Sequence, residues 1–130
     1  MVTASAAVTA LGLMPGAAHA ADNDRLTTST AGAAVGLTVD WTGPSSFTLR
    51  NVYLKDTGND GESVYFYVSY PGWWDFKQRW NKNGYNTTVS WVRLHGSIRG
   101  EIARLKVKVC RDKIRDNCKL SRASDNPYVH

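Results

Sequence analysis

Ile102-Ala103-Arg104-Leu105-Lys106-Val107-Lys108-Val109-Cys110 settles the class of this chain. Ala103, Leu105, Val107 and Val109 alternate with Arg104, Lys106 and Lys108. A two-residue period places the apolar set on one face of a strand and the cations on the other. The same period recurs upstream. Leu37, Val39 and Trp41 alternate with Thr38 and Asp40. Phe47-Thr48-Leu49 begins a second run, whose alternation slips near Arg50-Asn51 and resumes at Val52 and Leu54, as a β-bulge produces. Val64, Phe66, Val68 and Tyr70 form a third. Trp73 to Trp80 alternates weakly, and Thr87 to Leu94 carries Val89, Trp91, Val92 and Leu94. A short last strand is expected near Lys119-Leu120-Ser121. Gly43-Pro44, Asp56–Gly61, Pro71-Gly72, Asn83-Gly84 and His95-Gly96 punctuate the runs, and Asp60-Gly61 predicts a hairpin. About seven short strands with close-spaced turns and no helical period predict an all-β fold. The expected architecture is a small antiparallel β-sandwich, immunoglobulin-like in plan.

Upstream of these runs the composition changes. Residues 1–20 are Ala-rich and apolar and close on Ala18-His19-Ala20, an A-x-A cleavage site followed by the polar start Ala21-Asp22-Asn23-Asp24. This reads as a secretory signal peptide. Its n-region carries no Lys or Arg, which fits a start upstream of Met1. Pro15-Gly16 interrupts the segment, which falls short of the ~20 apolar residues of a membrane span. Residues 21–34 contain few large apolar side chains and no period. The expectation is a flexible or extended N-terminal arm that contributes little to the fold and orders on a partner. The sandwich domain then occupies residues 35–130.

Cys110 and Cys118 are the only cysteines. In an oxidising compartment they are expected to pair, closing a short loop worth about 2.5 kcal/mol by chain entropy. Zinc would need two further ligands, with only His95 and His130 left after cleavage, so no metal or other cofactor is expected. Charge is uneven. Residues 91–122 hold ten Lys/Arg against three Asp/Glu, while residues 21–90 hold six against seven. A basic face in the last third is therefore expected, whether simply solvated or directed at an acidic partner. Export removes nucleic acid from the partners, and no second apolar run spans a membrane.

Three stretches carry a resemblance. They are Leu54-Lys55-Asp56-Thr57 through Asp60-Gly61 to Val64-Tyr65, then Ile98-Arg99-Gly100 through Val107-Lys108-Val109-Cys110-Arg111-Asp112, and then Asn117-Cys118 with the ending Asp125-Asn126-Pro127-Tyr128. In this order they resemble small exported β-sandwich proteins of actinobacteria. Within that group the chain looks similar to the adaptor of secreted umbrella toxin particles. The resemblance implies a small protein that joins a lectin-like subunit to a large toxin-bearing subunit, with an extended N-terminal segment inserted into the lectin-like partner.

The candidate site residues follow. Asp24, Arg25, Leu26, Thr27, Thr28, Ser29 and Thr30 of the arm are expected to bind the partner through main-chain hydrogen bonds. Trp73 and Trp74 point to opposite faces of a strand, so one is available to a protein or a sugar. Asp56, Asn59, Asp60 and Glu62 partly imitate a calcium loop, but Gly58 and Tyr67 stand where ligands belong, and a hairpin turn is the better reading. His95 lies near Ser90 and Ser97 in sequence without a nucleophile elbow around either serine. Asn86-Thr87-Thr88 matches a glycosylation triplet and is read as surface. The expected function is a secreted, non-enzymatic adaptor. The alternatives are a carbohydrate- or wall-binding module using Trp73, Trp74, Tyr70 and the basic face, and an extracellular enzyme inhibitor.

Overall fold

The computed structural model describes residues 23–70, 73–113 and 117–129, with only the backbone path given for 73–78. The expected signal peptide, residues 1–20, lies outside the described residues. Among the described residues there are nine strands and no helix. They are β1 (Asn23–Thr30), β2 (Ala33–Gly43), β3 (Ser46–Asp56), β4 (Val64–Tyr70), β5 (Trp73–Asn81), β6 (Thr88–Ser97), β7 (Arg104–Arg111), β8 (Asn117–Leu120) and β9 (Ser124–Asp125). A front sheet runs β1-β2-β3-β6. A back sheet runs β9-β7-β4-β5, with β8 also paired to β7, and all the pairings are antiparallel. This is the expected β-sandwich, with two strands more than the periodicity showed.

The core lies between the sheets. Val35, Leu37, Val39 and Trp41 of β2 and Phe47, Leu49, Val52 and Leu54 of β3 face Val64, Phe66 and Val68 of β4 and Leu105, Val107 and Val109 of β7; all are at most 1 % exposed. Ala103 is exposed, against expectation, because the strand begins at Arg104 and Ile102 takes the buried position before it. The bulge is where the alternation slips. Gly36 pairs with Tyr53 and Thr38 with Arg50, so Leu37 stands opposite two residues, and Asn51 adopts φ 50°. The extra residue returns Val52 and Leu54 to the core face.

The N-terminal segment departs from expectation. Residues 23–30 are not a free arm. They pair with residues 33–40 over the whole length of β1, through a two-residue turn at Ala31-Gly32 in which Gly32 takes φ 94°. Leu26 is fully buried in the common core. The segment looked patternless because one side chain, Leu26, makes its core contact while the main-chain ladder does the rest. The domain boundary expected at residue 35 therefore falls at or before Asn23.

Three further expectations are corrected. Residues 57–63 do not close a hairpin, because they cross from β3 in the front sheet to β4 in the back sheet. His95-Gly96 does not end a strand. Gly96 lies inside β6, opposite Phe47, and a Cβ there would meet the Phe47 ring at 2.6–2.7 Å. The glycine is the seat of an aromatic ring, not a breaker. Tyr70 is 4 % exposed and belongs to the core.

Polar side chains join the elements at their corners. Asn126 donates from Nδ2 to the carbonyls of Gly43, Pro44 and Ile102 and accepts the Tyr128 N–H on Oδ1. Trp41 donates from Nε1 to Ser124 Oγ at 3.0 Å, fixing β9 to β2 across the sandwich. Cys110 and Cys118 are directly opposed in the β7–β8 ladder and form a disulfide. On its outer side the disulfide packs with Tyr65, Tyr67 and Trp80.

Leu26→Ala should lower stability by about 2–5 kcal/mol, as truncation of a buried leucine does. Thr27→Ala on the exposed face of the same strand should change it by less than about 0.5. Urea midpoints measure both, and equal shifts would show that β1 is not part of the core.

Candidate functional site

The arm residues sit where β1 meets the chain's C-terminal part. Arg122 grips Asp24 with both guanidinium ends, Nη2 to Oδ1 at 2.5 Å and Nη1 to Oδ2 at 3.0 Å, and Nη2 also donates to the Arg25 carbonyl at 2.9 Å. At the other end of β1, Thr30 donates to Asn117 Oδ1 at 2.7 Å. Hydrogen bonding from Arg122 holds the Asp24 carboxyl below its ordinary value. Leu26 points inward, while Arg25, Thr27 and Ser29 are exposed on the outer face of the front sheet and Thr28 is half-buried. Trp73 and Trp74 open β5, with Trp73 opposite Tyr70; their side chains lie outside the described residues.

The exposed face of the front sheet is ordered by register. One transverse row reads Arg25, Thr38, Arg50, Arg93 across β1, β2, β3 and β6. The row beside it reads Asn23, Asp40, Thr48, His95, and on the other side Thr27, Gly36, Tyr53, Ser90. Asp40 accepts Arg50 Nε at 2.8 Å. Arg25 donates to Thr38 Oγ1 and to the Asn51 carbonyl and lies over the Tyr53 ring at 5.8 Å. Tyr53 in turn covers Gly36, where any Cβ would collide with the ring. Between the arginine row and the Tyr53 row, the bulge leaves Asn51 and Val92 out of the paired register. A shallow recess of about 270 Å³ opens there, lined by Asn51, Val52, Tyr53, Ser90, Trp91 and Val92, and Val92 is 80 % exposed.

The other candidates resolve individually. His95 Nδ1 lies 3.2 Å from Thr48 Oγ1, while Ser90 pairs with Tyr53 and Ser97 with Ser46. Asp56 accepts the Gly58 N–H, and Asp60 accepts the Glu62 N–H and the Arg111 guanidinium at 2.9 Å. The Glu62 amide and Arg111 hold the Asp60 carboxyl below its ordinary value. Among the described residues no group of three or more His, Cys, Asp or Glu is placed to hold a metal. The ten cations of residues 91–122 do not form one face. Arg93 is on the front sheet and Lys106 and Lys108 on the back sheet, whereas Arg111 and Arg122 are engaged with Asp60 and Asp24. Residue 115 lies outside the described residues.

Sequence reading missed the Arg25-Thr38-Arg50-Arg93 row, because neighbours in it are 12 to 43 positions apart along the chain and only register brings them together. The one local signal was the slipped alternation at Arg50-Asn51. The chain matches no protein-family model, no curated protein and no solved structure.

The Asp24–Arg122 pair makes a pH prediction. A carboxyl whose folded value is depressed stabilises the fold above its unfolded value, and that contribution is lost as pH falls through the folded one. Both groups are partly exposed, so the contribution is up to about 1 kcal/mol. Wild type should exceed Asp24→Asn in stability at pH 7, and the two should converge well below pH 3.8, the ordinary aspartate value. Thermal melts across that range check it.

Proposed function

We propose that the chain is a secreted, non-enzymatic binding subunit that joins other extracellular proteins, an adaptor. The asymmetry of its two flanks carries this reading. On one flank β1 is stitched to the C-terminal segment by Asp24–Arg122 and Thr30–Asn117. On the other, β6 is ten residues long and pairs with β3 and no other described strand. A row of unpaired N–H and C=O groups of that length is a template for strand addition by a partner. β6 contains neither proline nor lysine, the residues that usually blunt an edge. Trp73 and Trp74 open β5, the back-sheet strand on the same flank, and belong to the same proposed contact.

The Cys110–Cys118 disulfide is compatible with an extracellular protein, and no described helix is long and apolar enough to cross a membrane. Because Asp24 to Thr30 are committed to the protein's own sheet, the docking element moves from the N-terminal segment to the β6 edge. The partners to look for are those the resemblance implies, a lectin-like subunit and a large toxin-bearing subunit. An inhibitor of an extracellular enzyme would use the same edge.

Native recovery of the protein from culture medium tests this. It should return in a defined larger assembly, in which β6 amides exchange hydrogen more slowly than in the isolated chain. Recovery as a free monomer, or unchanged exchange along β6, rejects the reading.

A further inference from the structure

The outer face of the front sheet carries a cost that the fold does not require. Arg50 and Arg93 are directly opposed on neighbouring strands, and like charges in that position destabilise a sheet. Arg25 lies in the same row, and the neighbouring rows supply one carboxylate, Asp40, which is bound to Arg50. Arg93 is exposed. Two of the three guanidiniums are held in place, Arg25 by Thr38, the Asn51 carbonyl and the Tyr53 ring, and Arg50 by Asp40. Surface cations kept for solubility have no need of such anchoring. The Asp40–Arg50 contact shows which group the row accommodates, a carboxylate.

The recess lies against this row, since Asn51 and Val92 follow Arg50 and precede Arg93 in their strands. Its lining residues combine the apolar Val52, Trp91 and Val92 and the aromatic Tyr53 with the polar Ser90 and Asn51. That mixture matches a sugar ring, which offers an apolar C–H face and hydroxyl groups at its rim. The arginine row crosses four strands, about 14 Å at the usual inter-strand spacing, more than one sugar occupies. Over β2 and β3, which are paired on both sides, the face offers side chains and no main-chain edge; the open edge belongs to β6 at its rim.

We propose that this face binds a carboxylate-bearing polysaccharide, with one sugar ring in the Asn51–Tyr53–Ser90–Val92 recess and the carboxylates of the chain along Arg50, Arg93 and Arg25. Arg pairs bidentately with carboxylates, and the rigid ladder holds the forks in place before binding. Ser90, Val92 and Arg93 lie on β6, but the site uses their side chains on the outer face and strand addition uses the main-chain edge, so the two proposals are tested separately.

Binding of the isolated, disulfide-intact protein to immobilised alginate, dextran and polyphosphate tests the proposal. Alginate should bind with an affinity that falls as salt rises. Dextran should not bind, and polyphosphate should bind at least tenfold more weakly than alginate. Arg93→Glu places a carboxylate opposite Arg50, so the fold is kept, and alginate affinity should fall at least tenfold. Ser90→Phe fills the recess without changing charge and should cause a similar loss. The double variant Lys106→Glu, Lys119→Glu alters the back sheet instead and should bind as wild type. Absence of alginate binding overturns the proposal. So does polyphosphate binding as tight as alginate, or a back-sheet variant as defective as Arg93→Glu, since either means simple ion exchange.

Discussion

Everything in this sandwich depends on keeping a two-residue period in phase. The inward side chains of β2 and β3 meet those of β4 and β7 only while each strand presents alternate residues to the core, and a slip of one position would turn a whole row toward water. At the bulge, Leu37 faces both Asn51 and Val52, and β3 resumes its phase one residue later. β6 follows the same step, so Leu49 still pairs with Leu94 and Val52 with Trp91. The irregularity is therefore shared by neighbouring strands. Its by-product is the gap on the outer face, where Asn51 and Val92 stand without a paired register. The recess is a direct result of phase correction in the core.

Two glycines in strand interiors, Gly36 and Gly96, obey the same constraint from the other side. Gly36 lies under Tyr53 and Gly96 under Phe47, each directly across the ladder from its ring. A glycine in a strand gives up packing and backbone entropy. Here an aromatic from the neighbouring strand covers the exposed backbone. On the outer face this lays Tyr53 flat beside Arg25. On the inner face it seats Phe47 against Trp41, with ring centroids 6.0 Å apart.

Much of this was legible in the sequence and some was not. Strands with several inward apolar residues, such as Leu105, Val107 and Val109, announced themselves, and so did the bulge and the cysteine pair. β1 did not, because only Leu26 reports its inward face. β9, two residues long, is fixed by Ser124 beneath Trp41 and not by any period. Gly96 read as a breaker because the ring above it is 49 positions away in sequence. Part of the three stretches quoted at the outset falls in strands, such as Val107 to Arg111 in β7, and part in joints. Asp56 accepts the Gly58 N–H in the crossover, Gly100 takes φ 93° beside Ser45, and Asn126 ties the β2–β3 turn to Ile102. Such residues report how the corners close. The outer-face row is assembled by long-range pairing, and no short motif contains it.

The unequal flanks also set a valence. A sheet protein with two open sides can add neighbours at both and grow without limit, as fibres do. Here, among the described residues, β1, an edge strand paired with β2 alone, is crossed by the side chains of Arg122 and Asn117, whereas β6, at the other end of the same sheet, pairs with β3 alone. Under the proposed strand addition the β6 edge is used up by its first occupant, so any second partner of an adaptor has to be held by a different surface.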